Sequence, residues 1–416
     1  MSRTNWSGTH TYAAAALHRP ASLEELQEIV AVAPRLRVLG SGHAFNDIAD
    51  SAEQVSLEAM PAEVILDHAA ATVTVAGGLR YGDLVDALVL EGLALHNLAS
   101  LPHISIAGAV ATGTHGSGDC NGNLATAVAA LELVTSAGEV VTAARGEPDF
   151  DGMVVGLGAL GVVTRVTLDV EPAYQVRQRV FDGLRWEALA ERFDAVMGSG
   201  DSVSVFSRWA GTTDQVWVKS RVGDAPEEVR PDLFGARAAT VERHPILGLD
   251  PVNCSPQLGV PGAWWDRLPH FRMGFTPSAG EEMQSEYLLP REHAVAAIEA
   301  IRAIAARVTP VLLVSEIRTA AADGLWMSPM HGRETVAFHF TWAPEPEGVA
   351  RAVAVLEDAL APFGARPHWG KVFRAEAAEV APLYERAGDF AALAERLDPR
   401  GAFRNAWLER HVLGDG

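Results

Sequence analysis

Two stretches in the second half of the chain place polar side chains at strand spacing. In Val311–Arg318 (VLLVSEIR), period-2 geometry puts Glu316 and Arg318 on one face. In Thr335–Trp342 (TVAFHFTW), it puts His339 and Thr341 on one face and Val336, Phe338, Phe340 and Trp342 on the other. Polar groups at i and i+2 on two nearby strands converge on a sheet surface. A carboxylate and a guanidinium there complement the donors and acceptors of a polyhydroxylated substrate, and an imidazole that titrates near neutrality can take a hydroxyl proton. The alternative is a solvated Glu316–Arg318 pair on an exposed sheet face, with His339 half-buried and satisfied. Lys371, in His368-Trp369-Gly370-Lys371, carries no signal of its own, because most lysines are surface groups.

Three glycine-rich runs bear on a phosphate-carrying ligand. GLGALG at 156–161 fits GxGxxG, and Asp182 falls near the distance expected of a ribose carboxylate. The dinucleotide fingerprint needs a helix after the glycines, whereas Val162–Leu168 alternates as a β-branched strand, so the run predicts a close-packed turn. Gly40-Ser41-Gly42-His43-Ala44-Phe45 follows a short strand at Arg35–Leu39. It reads either as a loop offering N–H groups to phosphate or as an ordinary strand-to-helix turn with a solvent-facing His43. Ser105–Gly118 (SIAGAVATGTHGSG) is built almost wholly of small residues, which lets main chain lie against a long, flat ligand with hydroxyls as donors. Two such loops without a P-loop lysine favour a dinucleotide over a simple nucleoside triphosphate.

The elements that must carry these residues make an α+β pattern. Ser22–Val32 reads as an amphipathic helix with a Ser22/Glu25 capping box, and Thr72–Ala76 as a strand ending at Gly77-Gly78. A helix capped by Asp83 stops at Gly92, and strands follow at 127–134, 139–143 and 162–170. After Pro172 longer strands in 175–220 and 283–342 mix with Ala-rich helices near 292–307 and 348–360. Residues 221–282, rich in Pro, Gly and Trp, read as irregular connection, and 378–416 as helix and turn.

The 416 residues suit two or three domains at roughly 150 residues each. With 33 Lys and Arg against 53 Asp and Glu, the net charge of −20 argues against nucleic acid or an anionic membrane as partner. Cys120 and Cys254 form no CxxC pair, no His spacing suits a metal, and no GxSxG elbow occurs. No apolar run approaches the ~18 residues of a membrane span, and Ala13–Leu17 is too brief for a signal-peptide core. These features predict a cytoplasmic protein.

Arg19-Pro20 with SLEELQEIV, Val38-Leu39-Gly40-Ser41-Gly42-His43, the 105–118 run, GLGALGVVTRVTL and the tail LDPRGAFRN at 397–405 resemble the vanillyl-alcohol-oxidase type flavoproteins. More narrowly, ASLPHIS at 99–105, SEIRT at 315–319, HFTW at 339–342 and HWGK at 368–371 are similar to the bacterial alditol oxidases of that family. The resemblance spans essentially the whole chain. It implies a two-domain fold: an FAD-binding domain at 1–173, an α+β substrate (cap) domain at 174–368, and a segment at 369–416 returning to the first domain.

It also implies FAD attached covalently through the ring of His43 alone, since Cys120 does not match the position of a second link. Val38, Leu39, Gly40, Ser41, Gly42, His43 and Ala44, with Ser105, Gly108, Ala111 and Thr112, would wrap its phosphates and ribityl chain. Gly161, Val162 and Val163 would lie near the adenine half, with Ser100 and His368 also against the cofactor. Ser100, Glu316, Arg318, His339, Thr341 and Lys371 would line a polyol pocket in front of the flavin.

The implied reaction takes the terminal CH–OH of an alditol such as xylitol or sorbitol (or glycerol and 1,2-diols) to the aldehyde. The hydride goes to FAD, and O2 becomes H2O2. His339 would be the base, while Lys371 and Arg318 would stabilise developing charge. Glu316, Ser100 and Thr341 would hold hydroxyls, and Ala99 would govern access of O2. The resemblance implies a monomer. Three other readings stay open: an aldonolactone-type flavin dehydrogenase with a different acceptor, an NAD(P) dehydrogenase built on GLGALG, and a non-catalytic flavin or polyol binder.

Overall fold

The structure, a computed structural model, describes residues 3–223 and 231–414, so residues 224–230 of the irregular connection lie outside it. In the N-terminal half, Ser22 caps the helix Leu23–Val32 by accepting from the Glu25 N–H at 3.2 Å. The Glu25 carboxylate reaches past Ser22 to the Ala21 N–H, so the expected capping box closes one residue early. Leu26 and Val30 of this helix pack with Leu36, Val55, Val134 and Phe403 in a small core. Ala16–His18 and Leu36–Val38 pair in parallel with Glu53–Val55 on either side. A second, five-stranded antiparallel sheet runs in the order Val64–Asp67, Thr72–Ala76, Val162–Asp169, Val128–Val134, Val140–Ala144. As the β-branched alternation predicts, GLGALG enters the central strand of this sheet rather than a helix.

One local expectation needs correction. The helix Tyr81–Leu90 is entered through Arg80; Asp83 sits inside its first turn and pairs with Arg80 at 2.7 Å. Within Ser105–Gly118, read only as a run of small residues, Ile106–Ala111 forms a short helix. Ile106, Ala109 and Val110 recur at i, i+3 and i+4, and all three are buried in the main core. Six residues are too few to form a stable helix alone, so this packing holds the turn.

The second half is a ten-stranded sheet whose centre runs Gln175–Asp182, Gln215–Arg221, Ser202–Ser207, Leu312–Ala320, Thr335–Trp342, Met283–Pro290. On one face Ile317, Phe338, Phe340 and Trp342 pack against the helices Ala294–Val308 and Pro346–Leu360. The alternation read from the sequence thus fixes which face meets the helices. The stretch 221–282 is more ordered than expected: Ala236–Ala238 and Gly262–Ala263 add to the Gln175–Asp182 strand, and Trp264–Arg267 forms a helical turn.

Backbone bonds clip the halves together around the polar face. Gly118 N–H donates to Thr319 O at 2.9 Å, and Phe45 N–H donates to Gly370 O at 2.8 Å. His368 and Val372 N–H donate to Glu286 and Gln284 O at 2.9 and 2.8 Å, which lays the HWGK turn along the strand Met283–Pro290. At the C-terminus, Leu36 N–H donates to Ala402 O at 2.7 Å, returning the tail to the first half. Among the described residues, no helix is long and apolar enough to cross a membrane.

Candidate active site

A cavity of about 630 Å³ lies between the two halves, and the site residues singled out from Val38 to Lys371 line it, except Val162, whose side chain alternates to the other face and packs in the small core with Leu26 and Phe403. One end runs along Leu57, Gly77, Gly161 and Val163; the other meets the polar sheet face. Between them lies the Gly40–Ala44 loop. Among the described residues, nothing accepts from the backbone N–H groups of Gly40, Ser41, Gly42, His43 or Ala44, which leaves successive donors free along the cavity wall. Gly40 packs so closely on Ser105 that a Cβ there would lie 2.5 Å from the Ser105 hydroxyl. The Ser41 hydroxyl accepts from Ser105 N–H at 2.9 Å and lies 3.0 Å from His43 Nδ1, tying both small-residue loops together. The His43 ring is half-buried and stacked on Trp6 at 5.4 Å, not solvent-facing. Burial, with His103 nearby, pushes its pKa down to about 4, so the ring is neutral at neutral pH.

On the sheet face, pairing places Glu286, His339 and Glu316 side by side across three strands. All three are buried, as are Arg318 and Thr341, so the solvated ion-pair reading fails. Glu286 is the hub. One of its oxygens accepts from Arg318 Nη2 at 2.5 Å and the other from Lys371 Nζ at 2.5 Å, and His115 Nε2 lies at 3.2 Å. Burial would raise the Glu286 carboxyl, but Arg318, Lys371 and His115 outweigh it and hold it well below the usual carboxylate range. Burial likewise works against Glu316, which Arg318 and His270 keep ionised. The two carboxylates in turn hold the Arg318 guanidinium charged against its own burial.

Lys371 Nζ also donates to His339 Nδ1 at 2.7 Å, so His339 carries its proton on Nε2 and donates to the Thr341 hydroxyl at 3.0 Å. Burial, reinforced by the Lys371 charge, pushes His339 down to about 4. Arg318 Nε is buried without a hydrogen-bond partner, 3.7 Å from Glu316 Oε1, a donor left for a ligand oxygen. Ser100 joins the face from the first half, its carbonyl accepting from the His270 and Phe271 N–H groups at 3.0 and 3.2 Å.

Three contributors escape the sequence reading. Glu286 sits at i+2 from Gln284, the same spacing that exposes Glu316 and His339, so a signal exists. Leu288, next on that face, turns apolar and hides it. His115 lies within a run read only for its small residues. His270 lies in the connection, where no periodicity marks a residue; its Nε2–H donates to Glu316 Oε1 at 2.9 Å.

Comparison with known proteins agrees with this geometry. The family model described as FAD binding domain matches residues 14–144, and that described as D-arabinono-1,4-lactone oxidase matches residues 279–411. The chain is 50% identical over 97% of its length to an alditol oxidase from Streptomyces sp., covering 97% of that protein. It belongs to the alditol oxidase family of FAD-dependent oxidoreductases. An L-gulono-1,4-lactone dehydrogenase of Mycobacterium tuberculosis is more distant within the family's surroundings, 31% identical over 99% of both chains. Among solved structures, a solvent-stable cholesterol oxidase superposes with a TM-score of 0.79 at 14% identity, covering 98% of this chain and 96% of that one, which bears out the vanillyl-alcohol-oxidase type fold.

The cradle fits the FAD that the family implies. A row of free N–H groups suits a pyrophosphate, and an elongated cavity running from backbone-lined walls to buried polar groups suits a dinucleotide with its flavin end at the sheet. With an FAD-binding domain assigned, the reading of GLGALG as an NAD(P) turn falls.

Proposed function

We propose that this enzyme oxidises the terminal carbinol of an alditol such as xylitol or sorbitol to the aldehyde, with O2 reduced to H2O2. The observation that carries this reading is the buried polar face, where carboxylate, guanidinium, hydroxyl and imidazole converge beside the flavin end of the cavity. Adjacent hydroxyls supply both donors and acceptors to such a face.

When bound, FAD supplies the acceptor for the carbinol hydride and hands the electrons on to O2. Gly40 to Ala44, with Ser105, Gly108, Ala111 and Thr112, would hold its phosphates and ribityl chain. Gly161 and Val163 would flank its adenine half, and Ser100 and His368 would lie towards its ring. The covalent attachment is assigned to His43, whose ring is neutral and whose Nε2 has no partner among the described residues. Glu316, Ser100 and Thr341 hold the hydroxyls that neighbour the reacting carbon. Arg318 Nε and Lys371 Nζ stabilise negative charge developing on the substrate oxygen. His339, neutral across the working range, takes the hydroxyl proton on Nδ1 once substrate displaces Lys371 from that nitrogen, and Glu286 at 3.7 Å from Nδ1 offsets the charge it gains. Both cysteines are free, which suits the cytoplasm, and we read the enzyme as a monomer, to be checked by size-exclusion chromatography.

The test is oxygen consumption by the purified yellow protein. Xylitol and sorbitol should each yield H2O2 in step with O2 consumed, whereas turnover of L-gulono-1,4-lactone alone, with a dye in place of O2, would move the enzyme to the dehydrogenase reading. Colour that remains on the acid-denatured polypeptide, and is released in His43→Ala, is expected for the histidyl link; colour that washes off the wild type removes it.

A further inference from the structure

Behind the polar face lies a cation that the proposed reaction does not use. Lys219, on the strand Gln215–Arg221, is 1% exposed. Its ammonium donates to the carbonyls of Leu268 and Pro269 and to His270 Nδ1, the last two at 3.1 and 3.0 Å. None of these acceptors is an anion. A buried ammonium without a contacting carboxylate is costly, so its counter-charge must be sought further along the chain of bonds.

That counter-charge is Glu316. Because Nδ1 of His270 accepts from Lys219, its proton must sit on Nε2, which donates to Glu316 Oε1. One ring thus relays the lysine's charge and fixes which carboxylate oxygen is occupied, leaving Oε2 for substrate. The same short segment carries the His270 and Phe271 N–H groups that hold the Ser100 carbonyl. One buried ammonium therefore braces both Ser100 and Glu316, from opposite halves of the molecule.

We propose that Lys219 is a positioning residue for the polyol pocket, acting through the His270 ring on Glu316 and setting affinity for the hydroxyls beyond the reacting carbon. This rests on the polyol reading of the pocket. Its protonation then matters. Burial pushes Lys219 down to about 7, against the pull of Glu316. The other groups facing it keep their state around that pH: burial holds His270 near 4 and the Cys254 thiol near 12, Glu316 stays ionised, and Arg318 stays charged. Once Lys219 is neutral it no longer enforces the His270 tautomer. If the ring turns its lone pair on Glu316, the carboxylate loses its donor.

The test uses the flavin-loaded holoenzyme and Lys219→Met. The KM for xylitol should rise by about tenfold or more, the scale of one lost charge-assisted hydrogen bond, while the limiting rate of anaerobic flavin reduction stays within a few-fold. In an E316Q background K219M should add little further to KM, because the lysine acts through that carboxylate. In the wild type, KM should climb as the pH passes 7. An unchanged KM in K219M, a full additive effect on E316Q, or KM and limiting rate worsening together overturns the proposal. Should K219M not fold, His270→Phe decides instead, since it cuts the relay at the ring while keeping the backbone N–H that holds the Ser100 carbonyl, and an unchanged KM for xylitol there overturns the proposal. If the wild type oxidises no polyol, the polyol reading falls and takes this inference with it; if it does, the K219M result bears on the lysine alone.

Discussion

At the level of single residues, the side chains that could be read were those whose neighbours gave them a pattern. Glu316, Arg318, His339 and Thr341 stand out because each alternates with bulky apolar residues, so a face can be assigned before any fold is known. Lys371 has no such frame, and its importance appears only when the HWGK turn lies along the strand Met283–Pro290 and brings Nζ to Glu286. Glu286 also decides the electrostatics, since two cations share one buried carboxylate. Glu286→Gln keeps the shape but leaves Arg318 and Lys371 without that charge. Removing one partner of a buried pair typically costs about 3–5 kcal/mol, so thermal unfolding of E286Q should move down by several degrees or more. Flavin reduction by xylitol should slow with it, because both cations lose their placement. A melting temperature equal to that of the wild type would show that the carboxylate is not the hub it resembles.

At the level of elements, periodicity located the strands of both halves and the two long helices of the second, because those helices and strands bury one face and expose the pattern. It failed at Ile106–Ala111, where six residues are too few to display a helical period and tertiary packing supplies the stability. It failed also in the connection, whose role is to deliver one histidine rather than to bury a face. The turn after Thr72–Ala76 is a sharper case of fit. A Cβ at Gly77 would lie 2.2 Å from the Val163 carbonyl, a backbone atom that cannot swing aside as a side chain can. Gly77→Ala should therefore splay the paired strands Thr72–Ala76 and Val162–Asp169 and cost about 3 kcal/mol, the upper part of the overpacking range. Val163 lines the cavity, so FAD content after purification should fall as well. Full flavin loading with an unshifted unfolding midpoint would mean that the strands have room to spare.

At the level of the whole molecule, what the sequence hid is which surfaces meet. The Gly118–Thr319 and Phe45–Gly370 bonds join residues far apart in the chain, and no local pattern announces them. The junction they close has an electrostatic consequence that can be measured. Burial lowers eight histidines among the described residues: His43, His96, His103, His244, His270, His339, His368 and His411. Those with values near 4 are His43, His270 and His339, all at the cavity; with the proposed linkage His43 carries the flavin in the holoenzyme, so His270 and His339 are the two that count there. In the unfolded chain a histidine titrates near ~6.5, so between about 6.5 and 4 the unfolded state takes up protons that the native state refuses. Stability from these groups is complete above the upper value and drains away as the pH falls, on the order of 3 kcal/mol for each group near 4. Asp214, Glu282, Asp323 and Glu357, raised by burial, act in the opposite sense and lose stability as the pH rises, but they are half as many. Glu286 and Glu316, held ionised in the native state, act in the same sense as the histidines as the pH falls towards the unfolded carboxylate value near ~4.3. The denaturant midpoint of the holoenzyme should therefore be lower at pH 5 than at pH 7.5, with the slope of the transition unchanged. A midpoint that is level or higher at pH 5 would mean that the cavity histidines are already protonated in the native state, and His339 would then have no lone pair with which to take a proton.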